Sequence, residues 1–226
     1  MKRRALVISV LLGVVLIPLV YFFWANQNSK DMTVRQKLLK TFYPAFMWAT
    51  KIVGVNARFL LHDPVAAPVP FHSLEVLQID GQPFDWKSLR GKKVLLVNTA
   101  SDCGYTAQYA ALQELSERYA DRLVVLGFPS NDFKEQEKAA NNSIHQFCQL
   151  NYGVQFPLMQ KTAVLPGAQQ HAVYQWLTQA SQNGWNNKVP SWNFSKYLVD
   201  EEGRLILYAD PSVSPMDSRL QQLIAN

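Results

Sequence analysis

The sequence predicts an α/β domain with a mixed sheet flanked by helices, and three observations predict it. Short apolar runs, VLLVNTA (94–100) and LVVLGF (123–128), alternate with stretches of helical spacing. A Glu201-Glu202-Gly203 turn separates SKYLVD from RLILYA and reads as a hairpin, so antiparallel strands join the parallel ones. The residues from 71 onward suffice for one buried core.

Residues 5–25, ALVISVLLGVVLIPLVYFFWA, carry no charge. Roughly 20 such residues span a bilayer as a helix. Pro18 is tolerated in such a span, and Tyr21 and Trp24 suit an interfacial aromatic belt. The run exceeds the ~7–15-residue apolar core of a cleaved signal, and Phe23 spoils a small-x-small site ending at Ala25. Residues 1–30 therefore read as an uncleaved signal anchor with one transmembrane helix. Lys2, Arg3 and Arg4 favour a cytoplasmic N-terminus against Lys30, Arg35, Lys37 and Lys40 beyond the span. The expected placement is a single pass through an inner membrane with a periplasmic domain; the cytoplasmic orientation is the alternative.

Residues 31–70 form a basic, amphipathic segment. Val34, Leu38, Leu39 and Phe42 recur at helical spacing up to Pro44, and apolar residues continue among Lys51 and Arg58 as far as Leu61. The segment is expected along the membrane surface, with packing on the domain as the alternative. DPVAAPVP (63–70) reads as a Pro-rich linker and boundary. The domain, 71–226, then runs through a strand at 74–79 ending in Asp80-Gly81, a strand at 94–100, a helix at 107–119 and a strand at 123–128. Helices at 143–152 and 171–180, the hairpin and a helix within 215–224 complete it.

The formal charge of +5 is unevenly divided. Residues 1–62 hold nine Lys or Arg against Asp31 alone, and residues 63–226 hold 13 basic and 16 acidic residues. A nucleic-acid-binding domain carries its own positive face, so nucleic acid is not expected as a partner. Lipid headgroups facing the basic segment are, with a merely solvated flank at Lys30, Arg35, Lys37 and Lys40 as the alternative.

Cys103 follows an apolar strand and precedes a helix, a placement in which unpaired N–H groups and the positive dipole end favour a thiolate. A buried, inert cysteine is the competing reading. Asp102, beside it, repels a thiolate. Dithiol exchange needs Cys-x-x-Cys, and Thr106 stands where the second cysteine would be. Two cysteines 45 positions apart and four scattered histidines form no ligand cluster, so neither metal nor cofactor is expected.

NTASDCGYTAQYAALQELSERY, LVVLGFPSNDFKEQE, FCQLNYGVQFPL and PSWNFSKYLVDEEGRL, in this order, resemble the glutathione peroxidase family over about residues 72–225. The resemblance implies a thioredoxin-like fold with a peroxidatic cysteine at Cys103. The family's Gln falls on Gln136, and its Trp-Asn pair on Trp192 and Asn193. Trp, Gln and Asn are neutral N–H donors, able to stabilise a thiolate and orient a peroxide oxygen without a permanent charge. Ser130, Asp102, Asp132 and KEQE (134–137) depart from the family's common residues.

The implied activity is reduction of hydrogen peroxide and organic or lipid hydroperoxides through a cysteine sulfenic acid, which a thioredoxin-like protein or glutathione re-reduces. Cys148 is the internal candidate for a resolving thiol, although it stands one position, about 100° of helix, from the family's resolving residue. The short stretch between Tyr174 and Trp192 resembles the monomeric, open-site members. The alternatives are a peroxide sensor and a non-catalytic, membrane-tethered thioredoxin-like binding module.

Overall fold

A computed structural model describes residues 16–27, 29–54, 57–89 and 91–226. Five strands form one mixed sheet of order β1-β5-β4-β2-β3. These are β1 (Phe59–Leu61), β2 (Lys93–Thr99), β3 (Leu123–Pro129), β4 (Lys196–Val199) and β5 (Leu205–Ala209). β2 and β3 are parallel, and all other neighbours antiparallel. The helices are α1 (Val34–Val53), α2 (Gln108–Arg118), α3 (Asn141–Tyr152), α4 (Ala172–Thr178), α5 (Ala180–Asn183) and α6 (Ser218–Ala225).

The two-residue period of a strand divides the core between the faces of the sheet. Leu95 and Val97 of β2 join Tyr109, Leu112 and Leu115 of α2, Ile144 and Cys148 of α3, and Leu220 and Ile224 of α6. Val94 and Leu96 join Val173, Tyr174, Trp176 and Leu177 of α4 with Phe71. Each fully buried Leu or Val contributes roughly 1.5–3 kcal/mol. Unbroken apolar runs in β2 and β3 are what two covered faces demand.

The strand expected at 74–79 does not form. Leu77 and Gln78 make only isolated bridges, to Pro83 and Met159. The ladder that starts at the Asp80-Gly81 turn stops after the Phe84 N–H donates to the Val76 carbonyl (2.9 Å). The helix expected over 171–180 ends at Thr178, because Gln179 is extended (φ −128°, ψ 111°). A last turn, α5, closes on Gly184, whose φ of +101° and proximity to Val65 suit only glycine.

The segment ahead of 71 belongs to the fold. β1 pairs with β5 in the register Phe59 to Ala209. The Pro-rich stretch is tied down at Val69, whose carbonyl accepts from Trp176 Nε1 (2.8 Å) and whose N–H donates to the Gln182 carbonyl (3.1 Å). α1 continues through Pro44, past the helix end expected there. Its start is fixed by a capping box in which Thr33 Oγ1 accepts from the Gln36 N–H and Gln36 Oε1 from the Thr33 N–H. Tyr43 and Met47 on its inner side pack against the first core. One side of this segment therefore packs on the domain.

Residues 16–25 are helical. The rest of the expected 5–25 span, residues 5–15, lies outside the described residues. Among the described residues no helix is long and apolar enough to cross a membrane.

Candidate active site

Cys103 lies just beyond the carboxyl end of β2, in a run of turns that leads into α2. Strand ends of this kind are where open α/β sheets place their ligands. The helix proper starts at Gln108, so the turn supplies the donor at the sulfur: the Tyr105 N–H donates to Cys103 Sγ (3.4 Å). Thr106, where a dithiol motif would have its second cysteine, holds the turn. Its Oγ1 accepts from the Cys103 N–H (2.9 Å) and lies 2.8 Å from the carbonyls of Ala100 and Cys103, locking the turn.

The Trp192-Asn193 pair arrives from the opposite side, on the loop before β4. The Phe194 N–H donates to the Asn98 carbonyl (2.6 Å), and Asn98 Nδ2 to the Trp192 carbonyl (3.0 Å), which pins this loop to β2. Phe194 takes a φ of +71°, a conformation uncommon outside glycine. Buried Lys196 steadies it by donating from Nζ to the Phe194 carbonyl (2.8 Å). The indole of Trp192 and the amide of Asn193 lie near enough to the thiol to favour its anion.

Gln136 comes from the 130–139 loop, where Lys134 and Glu135 also have positive φ. Its backbone carbonyl accepts from the Asp102 N–H (3.1 Å), and its Oε1 from Asn193 Nδ2 (3.0 Å). That leaves the Gln136 amide nitrogen to donate elsewhere. Cys103, Gln136, Trp192 and Asn193 are thus brought together from three separate loops of the chain.

Burial pushes the Cys103 thiol up to about 11, against the pull of the Tyr105 N–H, the Trp192 and Asn193 side chains and the Arg35 charge. Burial thus opposes ionisation of the sulfur, while the N–H groups around it and the Arg35 charge favour its anion. Cys148 lies elsewhere in the same core. It is fully buried on α3 near Tyr109, and both cysteines are free. Burial raises its thiol to about 12.

Two groups escaped the sequence reading. Glu137 Oε2 accepts from both the N–H and the hydroxyl of Ser101 (2.8 Å each), anchoring the turn two residues before Cys103. Burial, opposed by the Ser101 bonds and by Lys161, raises this carboxyl to about 7. Its signal was the acid directly after Gln136, readable only as a charged loop. Arg35, read as part of a solvated or lipid-facing flank, pairs with Asp102 across 67 positions. Asp132, the other acidic departure, braces a neighbouring loop, since its Oδ2 accepts from the N–H groups of Val164 (2.6 Å) and Leu165 (2.9 Å). Among the described residues no group of His, Cys, Asp and Glu forms a metal cage.

Comparison with known proteins bears on the family of this chain. The profile of the glutathione peroxidase family matches residues 71–178. The chain is 40% identical over 158 residues to glutathione peroxidase-like peroxiredoxin 2 of Saccharomyces cerevisiae, covering 69% of this chain and 97% of that one. It is 37% identical over 157 residues to a glutathione peroxidase of Lactococcus lactis, covering 68% and 99%. The crystal structure of Trgpx in its apo form superposes with a TM-score of 0.54 at 30% identity, covering 71% of this chain and 98% of that one. With a thioredoxin-like α/β fold and near-complete coverage of these relatives, this chain belongs to the glutathione peroxidase family and is a peroxidase.

Proposed function

We propose that Cys103 is the peroxidatic thiol and that Gln136, Trp192 and Asn193 complete its site. The observation that carries this reading is the gathering of neutral N–H groups around one buried sulfur: the Tyr105 N–H donates to it, and the Trp192 indole and Asn193 amide lie near enough to favour its anion. Neutral donors stabilise an anion as it develops without holding a permanent charge in the pocket. The sulfur attacks the terminal oxygen of a hydroperoxide and the O–O bond breaks. The thiol proton is delivered to the departing oxygen, giving an alcohol or water and a Cys103 sulfenic acid. A second thiol attacks that sulfur, releasing water and leaving a disulfide that a further thiol reduces. Mass mapping of dimedone adducts after one equivalent of hydroperoxide tests the assignment: label at Cys103 supports it, and label confined to Cys148 refutes it.

The second thiol comes from an external reductant, a thioredoxin-like protein or glutathione. Full burial of Cys148 favours this over an internal disulfide. The alternative gives the resolving role to Cys148, and what favours it is that both thiols belong to one buried cluster. Non-reducing peptide mapping separates the two, since a Cys103–Cys148 disulfide arises only in the second.

The protein acts as a monomer at a membrane, on peroxidised lipid as well as hydrogen peroxide. Supporting this are the charge-free stretch 5–25, the basic residues beyond it, and the outward apolar side chains of α1, among them Val34, Leu38, Phe42, Trp48 and Ile52. Residues 1–30 form the anchor and 71–226 the peroxidase domain, with 31–70 joining them along the lipid surface. The domain lies on the periplasmic side of an inner membrane; in spheroplasts it is then open to added protease, and protection would reverse the orientation.

A further inference from the structure

Asp102 is the feature that the reaction leaves unexplained, since an acid beside a thiol that must become an anion works against the chemistry. Its partner comes from the N-terminal extension. Arg35, on the first turn of α1, donates from Nη1 to the Asp102 carboxylate and to the Asp102 backbone carbonyl (3.1 Å). The next residue, Gln36, donates from Nε2 to the Ser101 carbonyl (3.0 Å) while its Oε1 caps the helix. Three turns further along, the Phe46 ring packs edge-on against Tyr105 at 5.0 Å between centroids, beside the space a Cβ on Gly104 would occupy. Arg35 and Phe46 are 11 residues apart and so share one face of the helix. α1 thereby holds residues 101, 102 and 105 around Cys103 at both ends of the turn.

We infer that Arg35 is a positioning residue of the peroxidase site, carried by an extension outside the family-matched 71–178, which holds the Cys103 turn and cancels the Asp102 charge beside the reacting sulfur. The inference rests on Cys103 being the peroxidatic thiol. As a surface ion pair, with side chains 54% and 39% exposed, Arg35–Asp102 adds little to stability. Its effect is on the sulfur, where the Arg35 charge pulls the thiol downward. The other charged groups facing this turn are Asp102 itself, Glu137 behind Ser101, and Lys134 over the Trp192 ring at 5.6 Å. None of these neutralises Asp102 by direct contact among the described residues.

The test measures alkylation of Cys103 against pH, with the adduct assigned by peptide mass, in the full chain held in detergent. Arg35→Gln leaves Asp102 uncompensated. Its profile is expected to move upward by about 0.5–1 pH unit, so that Cys103 reacts about three- to tenfold more slowly at pH 7. Asp102→Asn leaves the cation alone and moves the profile the other way, and Arg35→Gln combined with Asp102→Asn returns it to near the native position. A structural role alone would lower reactivity in every variant without this reversal of sign. A profile for Arg35→Gln superimposable on the native one overturns the inference, as does a double variant no better than Arg35→Gln. Thermal melts confirm that each variant is folded; should Arg35→Gln fail to fold, Asp102→Asn carries the test by the direction of its shift. Peroxidase activity surviving in Cys103→Ser would instead sink the underlying reading, an outcome distinct from any of these.

Discussion

Replacing Glu137 by Gln gives a prediction whose size the structure sets. The carboxyl is 1% exposed and is raised from the ordinary 4.5 to about 7, first by burial and then by the charge of Asp102, against the Ser101 bonds and Lys161. A group raised in the folded state favours folding most when protonated. Its contribution is fully present below pH 4.5 and is lost as pH rises through about 7. The rise corresponds to roughly 3 kcal/mol. Glu137→Gln keeps an oxygen for the N–H and hydroxyl of Ser101 but cannot ionise, so it lacks this loss. Urea unfolding of the full chain, followed by tryptophan fluorescence at about pH 4.5, 6, 7 and 8, should show the variant gaining on the native protein by up to roughly 3 kcal/mol across the series. A stability difference that stays constant with pH would refute the reasoning, because it would mean that Glu137 keeps an ordinary carboxylate pKa.

Trp192→Phe and Asn193→Ala each remove an N–H donor from the sulfur. A hydrogen bond to a charged group contributes roughly 1.5–3 kcal/mol, so stopped-flow rate constants for Cys103 oxidation should fall about 10- to 100-fold with the fold intact. Rates within about twofold of native would exclude those donors from the reaction. Lys196→Met deprives the Phe194 carbonyl of its buried donor, which costs about 1–3 kcal/mol and loosens the turn after Asn193. Burial depresses the Lys196 ammonium to about 7 from 10.5, so its contribution is present above pH 10.5 and lost as pH falls through about 7. Native protein should therefore gain on Lys196→Met between pH 7 and 10.5 in pH-dependent thermal melts, and parallel curves would contradict this.

Most of the sheet was legible because β2 and β3 are unbroken apolar runs and the 200–204 turn announces its hairpin. Local signals misled where chain neighbours did not decide the outcome. LEVLQI has the composition of a strand, but only Pro83 and Met159 are available to bridge it. FLL, 59–61, is too short to stand out, and became β1 because β5 offers it a free edge. The same distinction governs the site. Cys103, Gln136, Trp192 and Asn193 were read from ordered motifs, and the fold brings them together. Arg35 and Glu137 were missed because pairing with Asp102 and anchoring Ser101 are tertiary contacts, across 67 and 36 positions, without a spacing rule. Asp102 looked like a defect only while its partner in α1 was unseen.

The central claim, that one buried thiol among neutral donors performs the peroxide reduction, is tested most directly by hydroperoxide turnover in Cys103→Ser. With a thioredoxin-like donor and glutathione each in excess, the native chain should turn over hydroperoxide with at least one of them and the Ser variant with neither. Turnover that survives in Cys103→Ser would contradict the account, whatever reductant sustains it.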